Sequence, residues 1–366
     1  MKRLITLDLL LGAVPLAVAA HLMHRSDLTV FVLSCIAIVP LAKWLGVATE
    51  HVARRSGEGI GGLLNANFGN AAELIIALTA LSSGLSDVVK ASLTGSLIGN
   101  VLLVMGASFV AGGMRHKAQH FNVPAVHAQT SMLLLAAISL IIPALFHYLG
   151  AQQVASLPLI SNERHLSRDI AVILLCVYLL SLVFSLWTHR QLFNASIDPD
   201  EIGHHRHSWP LWRAFGVLLL STVFIAWMSE LLVSSVEPTA TALGMSRVFI
   251  GIVVVAIIGN AAEHSTAVVA ALKNRMDLSL GIAIGSSTQI ALFVAPLLVL
   301  LSYIIAPQPL DLVFSAAEVL AVALTVLIAM QVTGDGQSNW FEGVQLLAVY
   351  LILAVMFYFL PVPVPG

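Results

Sequence analysis

Two glutamates carry most of the chemistry that this sequence offers. Glu73 and Glu263 each close a five-residue block, Gly69-Asn70-Ala71-Ala72-Glu73 and Gly259-Asn260-Ala261-Ala262-Glu263, and the blocks stand 190 residues apart. Both lie inside long apolar stretches. A carboxylate at bilayer depth costs several kcal/mol unless it is paired, hydrated or protonated, so it is kept only where it has a task or a partner. Two ionised carboxylates facing each other would offer up to four oxygens and two negative charges. Hard divalent cations take oxygen ligands, and Ca²⁺ takes six to eight of them.

The residues around the glutamates extend the oxygen set. Asn70 and Asn260 lie three positions before each Glu, on the same helix face. Gly69 and Gly259 lie one turn before it, where glycine permits unwinding or close helix approach and brings backbone carbonyls near an ion. Ser96, Asn100, Ser286, Ser287, Thr288 and Gln289 interrupt two further apolar stretches. The Ser and Thr residues read equally well as helix-packing contacts. Asn100 and Gln289 are assigned to the site. A buried salt bridge would need a cation, and none is expected within spans 3, 4, 8 or 9, Lys90 being counted with the loops. His264 follows Glu263, but neighbours on a helix point about 100° apart, so it need not face the same ion. Cys35 and Cys176 form no metal or redox spacing. A hard-ion site therefore fits better than a soft-metal one. The carboxylate pair also implies proton coupling. Burial and a like charge both favour the protonated form, so a cation must displace protons to bind. If only the neutralised site crosses, exchange is obligatory.

These residues must be positioned by membrane helices. Of 366 residues, 58% are hydrophobic and 10% charged, and the mean hydropathy is +0.95. Soluble chains carry about 25% charge. A net charge of −2 argues for neither nucleic acid nor acidic partners. The expected fold is an all-α polytopic membrane protein of about eleven transmembrane helices, near 6–22, 28–49, 62–83, 88–112, 124–149, 169–188, 212–235, 247–272, 278–304, 311–332 and 341–361. The N-terminal apolar run is read as a first span and not as a cleaved leader. Beyond the two blocks, Gly95-Ser96 matches Gly285-Ser286 and Asp87 matches Asp277, and ten of the 32 positions 69–100 are identical to 259–290. Spans 2–6 and 7–11 thus form two five-helix repeats, and an odd number of crossings makes them inverted. Inverted repeats place a binding site near the midplane. The domain frame is 1–27 for the extra helix, 28–189 for the first repeat, 190–210 for a linker and 211–366 for the second repeat. Of 17 Lys and Arg residues, eleven fall on one side, five on the other and Lys43 inside a span. The richer side is expected to be the cytoplasm, with the N-terminus inside and the C-terminus outside.

The stretches Gly61-Gly62-Leu63-Leu64-Asn65-Ala66-Asn67-Phe68-Gly69-Asn70-Ala71-Ala72-Glu73-Leu74 and Gly259 through Lys273-Asn274 to Gly285-Ser286-Ser287-Thr288-Gln289-Ile290-Ala291-Leu292-Phe293 resemble those of the calcium/proton exchangers of the cation/calcium exchanger superfamily. The resemblance covers spans 2–11. It implies that spans 2 and 7 are mobile gating helices, and that Glu73 and Glu263 are the shared Ca²⁺/H⁺ site, with Gln289 and the Asn residues close by. It also implies Ca²⁺ export from the cytosol driven by inward proton flow, with Ca²⁺ as substrate and no cofactor. Glu50 and Glu230, ending the first helix of each half, fit acidic residues along the ion path. The bacterial inner membrane is the expected location, and oligomeric state stays open. The linker, with Asp198-Pro199-Asp200-Glu201 and then His204, His205 and His207, lacks the long acidic helix of many relatives. Its histidines read as a solvated loop more than as a pH sensor or metal site. A sodium-coupled exchanger of the same superfamily is the alternative, followed by a cation channel and a membrane enzyme. A channel needs no inverted repeat, and neither HExxH nor GxxxxGK[ST] is present.

Overall fold

The computed structural model describes residues 7–56, 64, 67–153, 157–189 and 209–360. The linker residues Asp198 to His207, parts of the stretch 57–66 and the N-terminal Lys2 and Arg3 lie outside the described residues. Among the described residues the regular secondary structure is helical apart from one two-residue ladder. In order the apolar helices are α1 (Leu7–Leu22), α2 (Asp27–Arg55), α3 (Ala71–Ser82), α4 (Ser86–Gly113), α5 (Val123–Gly150), α6 (Asn162–Thr188), α7 (Leu211–Leu243), α8a (Arg247–Gly259), α8b (Ala261–Leu272), α9 (Met276–Ile305), α10 (Ala316–Val332) and α11 (Trp340–Phe359). Among the described residues seven are long and apolar enough to cross a bilayer alone, or up to eight if the pair α8a and α8b, bent by 61°, is one span. The remaining three, α1, α3 and α10, are shorter.

Several helix ends depart from expectation, each for a local reason. α7 runs eight residues past the expected end at 235, through Pro238, and stops at Gly244 with φ 65°. A proline inside a membrane helix is tolerated where neighbouring groups restore the lost bond, and glycine without a Cβ closes the helix in the left-handed conformation. Glu230 therefore sits inside α7 and does not end it. α2 likewise continues to Arg55, past Glu50. α10 begins at Ala316, not near 311, because Ser315 caps it in a reciprocal box with Glu318. The segment before it is extended and buried at Leu310, Leu312 and Phe314. Such backbone survives at membrane depth only if its polar groups find partners in the protein. They do: Ser302 Oγ accepts from Leu310 N (2.8 Å), Ser167 Oγ accepts from Leu312 N (2.9 Å), and Lys90 Nζ donates to Val313 O (2.8 Å). Lys90 lies in the second turn of α4 and pairs with Asp311. The expectation of no cation within span 4 is corrected, and this cation is engaged by the loop.

The chain forms two compact units. The first comprises Met1–Thr79, Leu180–Gly244 and Ile258–Ala262. In it α2 and α7 pack along each other, and α1 lies on α2. Lys43, inside α2, is neutralised by Asp8 of α1 at 2.8 Å, and Trp44 Nε1 donates to the same oxygen at 3.1 Å. The second unit comprises Ala80–Leu179, Met245–Ile257 and Glu263–Gly366. Its helices meet through small residues, which let backbones approach closely. Gly343 of α11 lies against Gly106 and Val110 of α4. Gly251 of α8a lies against Ala91 of α4, and Gly95 against the backbone of Ile252. Asp87 and Arg247 pair at 3.2 Å at the starts of α4 and α8a. Asp277, the repeat counterpart of Asp87, accepts from Asn122 N at 2.6 Å. The strands β1 (Gln119–His120) and β2 (Gln337–Ser338) pair antiparallel.

The repeat does not extend to this packing. A methyl on Gly95 would meet the Ile252 carbonyl, whereas one on its counterpart Gly285 meets nothing within 4 Å. Gly95→Ala should therefore cost about 1–3 kcal/mol through overpacking, and Gly285→Ala should be near neutral. Thermal unfolding of the detergent-purified variants measures the difference, and equal losses would refute this packing.

Candidate cation site

Both glutamates stand in the first turn of a helix that starts beside a break. Residues Gly69 and Asn70 form a turn, α3 begins at Ala71, and Leu74 N donates to Asn70 O at 2.9 Å. In the second repeat α8a ends at Gly259, Asn260 is non-helical and α8b begins at Ala261. The break fits glycine and asparagine, which compete poorly for helix interiors. Helix ends leave several amides and carbonyls without intrahelical partners. Each break therefore supplies carbonyl ends for a cation beside a carboxylate held at the positive end of the next helix.

In the first unit, Glu73 is 2% exposed, and Asn70 and Asn260 are equally buried. Gly259 packs on Glu73: a methyl at Gly259 would lie 3.8 Å from Glu73 Cβ and 3.9 Å from Ile76 Cδ1. Oε2 of Glu73 is buried with no hydrogen bond, while the residue is engaged elsewhere. Glu50 is exposed and pairs with Arg54 at 2.6 Å. Glu230 is exposed within α7.

The second unit holds a connected polar chain. Ser286 hydrogen-bonds the carboxylate of Glu263. Asn100 Nδ2 donates to Ser286 Oγ at 3.2 Å, and His264 Nε2 lies 3.0 Å from Asn100 Oδ1. Glu263 keeps one buried oxygen, Oε2, without a hydrogen-bond partner. Asn100 lies in a π-helical turn of α4, Gly99–Val104, and Gln289 directly precedes the matching turn of α9, Ile290–Val294. Turns of this kind recur at functional sites. Ser96 is buried one turn before Asn100. Thus α4, α8b and α9 bring Asn100, Glu263 and Ser286 together. His264 joins them, although sequence reasoning set it aside. Its ring reaches Asn100 on a third helix, a contact that spacing along one helix does not reveal.

An all-helical chain with duplicated, glutamate-bearing helix breaks defines a polytopic membrane transporter. Comparison with known proteins agrees. Residues 26–187 and 213–359 match the sodium/calcium exchanger protein family. The chain is 45% identical over 362 residues to a Ca²⁺/H⁺ antiporter of Synechocystis sp., covering 95% of each. It is 42% identical over 353 residues to the Ca²⁺/H⁺ antiporter ChaA of Bacillus subtilis, covering 96% of this chain and 98% of that one. The solved structure of native YfkE superposes with a TM-score of 0.82 at 39% identity, covering 97% of this chain and 99% of that one. The chain belongs to the sodium/calcium exchanger protein family, and its resemblance to the calcium/proton exchangers extends over nearly its whole length.

Asn100 bridges Ser286 and His264, so replacing it with an apolar residue strips both of a partner. Asn100→Leu should cost about 1–3 kcal/mol of stability, and His264→Leu added to it should cost little more. A double-mutant cycle of thermal unfolding reads this coupling, and simple additivity would break the proposed chain.

Proposed function

We propose that this protein is a secondary antiporter that exports Ca²⁺ from the cytosol in exchange for H⁺, with Glu73 and Glu263 as the carboxylates that Ca²⁺ and protons compete for. The observation that carries the reading is the packing of Gly259 on Glu73. Gly259 belongs to the second duplicated block and Glu73 to the first, so the two blocks touch within the first unit. The names of the relatives supply the ions. Asn70, Asn260, Asn100, Gln289, Ser96 and Ser286 contribute oxygens or hold the carboxylates, and Gly69 and Gly259 open the backbone beside them. Glu50 and Glu230 line the approach.

Alternating access follows from the inverted frame of 28–189 and 211–366. α2 and α7 are the moving pair, in keeping with their place together in the first unit. The arginine-rich side, and with it the N-terminus, is cytoplasmic, the C-terminus is outside, and the membrane is the bacterial inner membrane.

Inside-out vesicles with an acid interior and no Na⁺ test this reading. Ca²⁺ uptake should collapse with a protonophore. It should fall roughly tenfold or more in Glu73→Gln and in Glu263→Gln, because each removes a ligand charge. Uptake that needs Na⁺ in place of the proton gradient would assign sodium coupling. Uptake indifferent to both substitutions would remove the two glutamates from the site.

A further inference from the structure

A second cluster of charged and aromatic side chains occupies the arginine-rich end of α2 in the first unit. Trp209, just before α7, stacks on His51 of α2 with ring centroids 4.5 Å apart. It also stacks on Trp44 of α2 at 5.9 Å, and the guanidinium of Arg213 lies over its ring at 4.4 Å. Trp209 N donates to His51 Nδ1 at 3.4 Å. Trp44 in turn donates to Asp8 of α1. One indole therefore ties the beginning of α7 to the far end of α2, and through Trp44 to α1.

The bond direction makes this tie sensitive to protons. Nδ1 of His51 accepts only while it carries no proton. A second ring proton would set an N–H against the Trp209 N–H. It would also place a cation among Arg54, Arg55 and Arg213, with Glu50 as the acidic neighbour acting on the ring. Glu50 is already paired with Arg54, and Asp8, reached through Trp44, is paired with Lys43. The neutral ring is therefore the one that can accept from Trp209 N. Histidine changes charge between about pH 5 and 8. The clamp is complete while His51 is neutral and is lost as the pH falls.

We propose that His51 and Trp209 form a proton-sensitive clamp between α2 and the start of α7, and that acid at the arginine-rich face releases it and slows turnover. The slowing rests on the antiporter reading and on α2 and α7 moving as a pair. The clamp itself does not. In an exchanger that brings protons into the cytosol, such a clamp brakes transport when protons accumulate on the side they enter.

The clamp is read without transport. In purified full-length protein labelled with 5-fluorotryptophan, the Trp209 ¹⁹F resonance, assigned by its absence in Trp209→Phe, should titrate as the pH is lowered through and below the ordinary imidazole range. It should stay fixed in His51→Phe, which keeps the stack, and in His51→Gln, which keeps the acceptor without a titrating proton. No titration in wild type, or an unchanged titration in both variants, overturns the clamp. In vesicles, acidifying the arginine-rich face should slow Ca²⁺ flux of wild type roughly threefold relative to His51→Gln across the imidazole range. Superimposable pH profiles would overturn the brake. Failure of the protein to move Ca²⁺ at all would leave the resonance titration to decide the clamp by itself.

Discussion

Backbone amides, carbonyls and carboxylates cannot be left bare in hydrocarbon, and the architecture follows from where this chain breaks that rule and how it compensates. The breaks at Gly69–Asn70 and at Asn260 each place a buried asparagine just ahead of a helix start. Each is followed within three residues by a glutamate in the first turn of the next helix. A carboxylate there faces the positive end of a helix dipole, while carbonyls of the broken backbone lie alongside. The same arrangement that makes the break tolerable is the one by which, in the proposed site, a cation would find oxygens. Elsewhere the rule is kept by side chains, as where Lys90, Ser167 and Ser302 satisfy the extended run before α10.

The hydrophobic runs made the helix order legible, and the duplicated block marked Gly69 and Gly259 as places for unwinding or close approach; that the chain breaks there, inside the stretches 62–83 and 247–272 expected as single spans, was not legible. The helix ends were less legible. The seventh span is expected to end at 235, yet α7 passes through Pro238 and ends at Gly244. The start of α10 depends on a capping box between Ser315 and Glu318 and on a lysine from α4, and hydropathy carries no trace of either. Lys90 illustrates the limit: near a span end, a cation reads as a loop residue until its partner, Asp311, is seen on a different helix connection. His264 illustrates another. Its place beside Asn100 is a property of three helices packed together, not of its own.

The first unit shows how an unpaired charge in one helix recruits another helix. Lys43 lies inside α2, and the helix that the repeats do not account for, α1, supplies Asp8 to neutralise it. The ion pair is part-buried, so loss of Asp8 alone would leave a cation poorly solvated, which costs more than the pair itself contributes. α1 is therefore held to α2 by this ion pair as well as by packing along it.

Duplication preserved the glutamates and the breaks but not their company. At the repeat offset of 190 residues, Asn100 corresponds to Ile290, His264 to Leu74, Gln289 to Gly99 and Lys90 to Leu280. Glu263 consequently sits in a hydrogen-bonded chain through Ser286 and Asn100 to His264, whereas Glu73 sits in the contact with Gly259. A duplicated motif thus keeps its carboxylate and its helix break while the polar residues around it diverge, so the sequence repeat does not impose one and the same hydrogen-bonded setting on both copies.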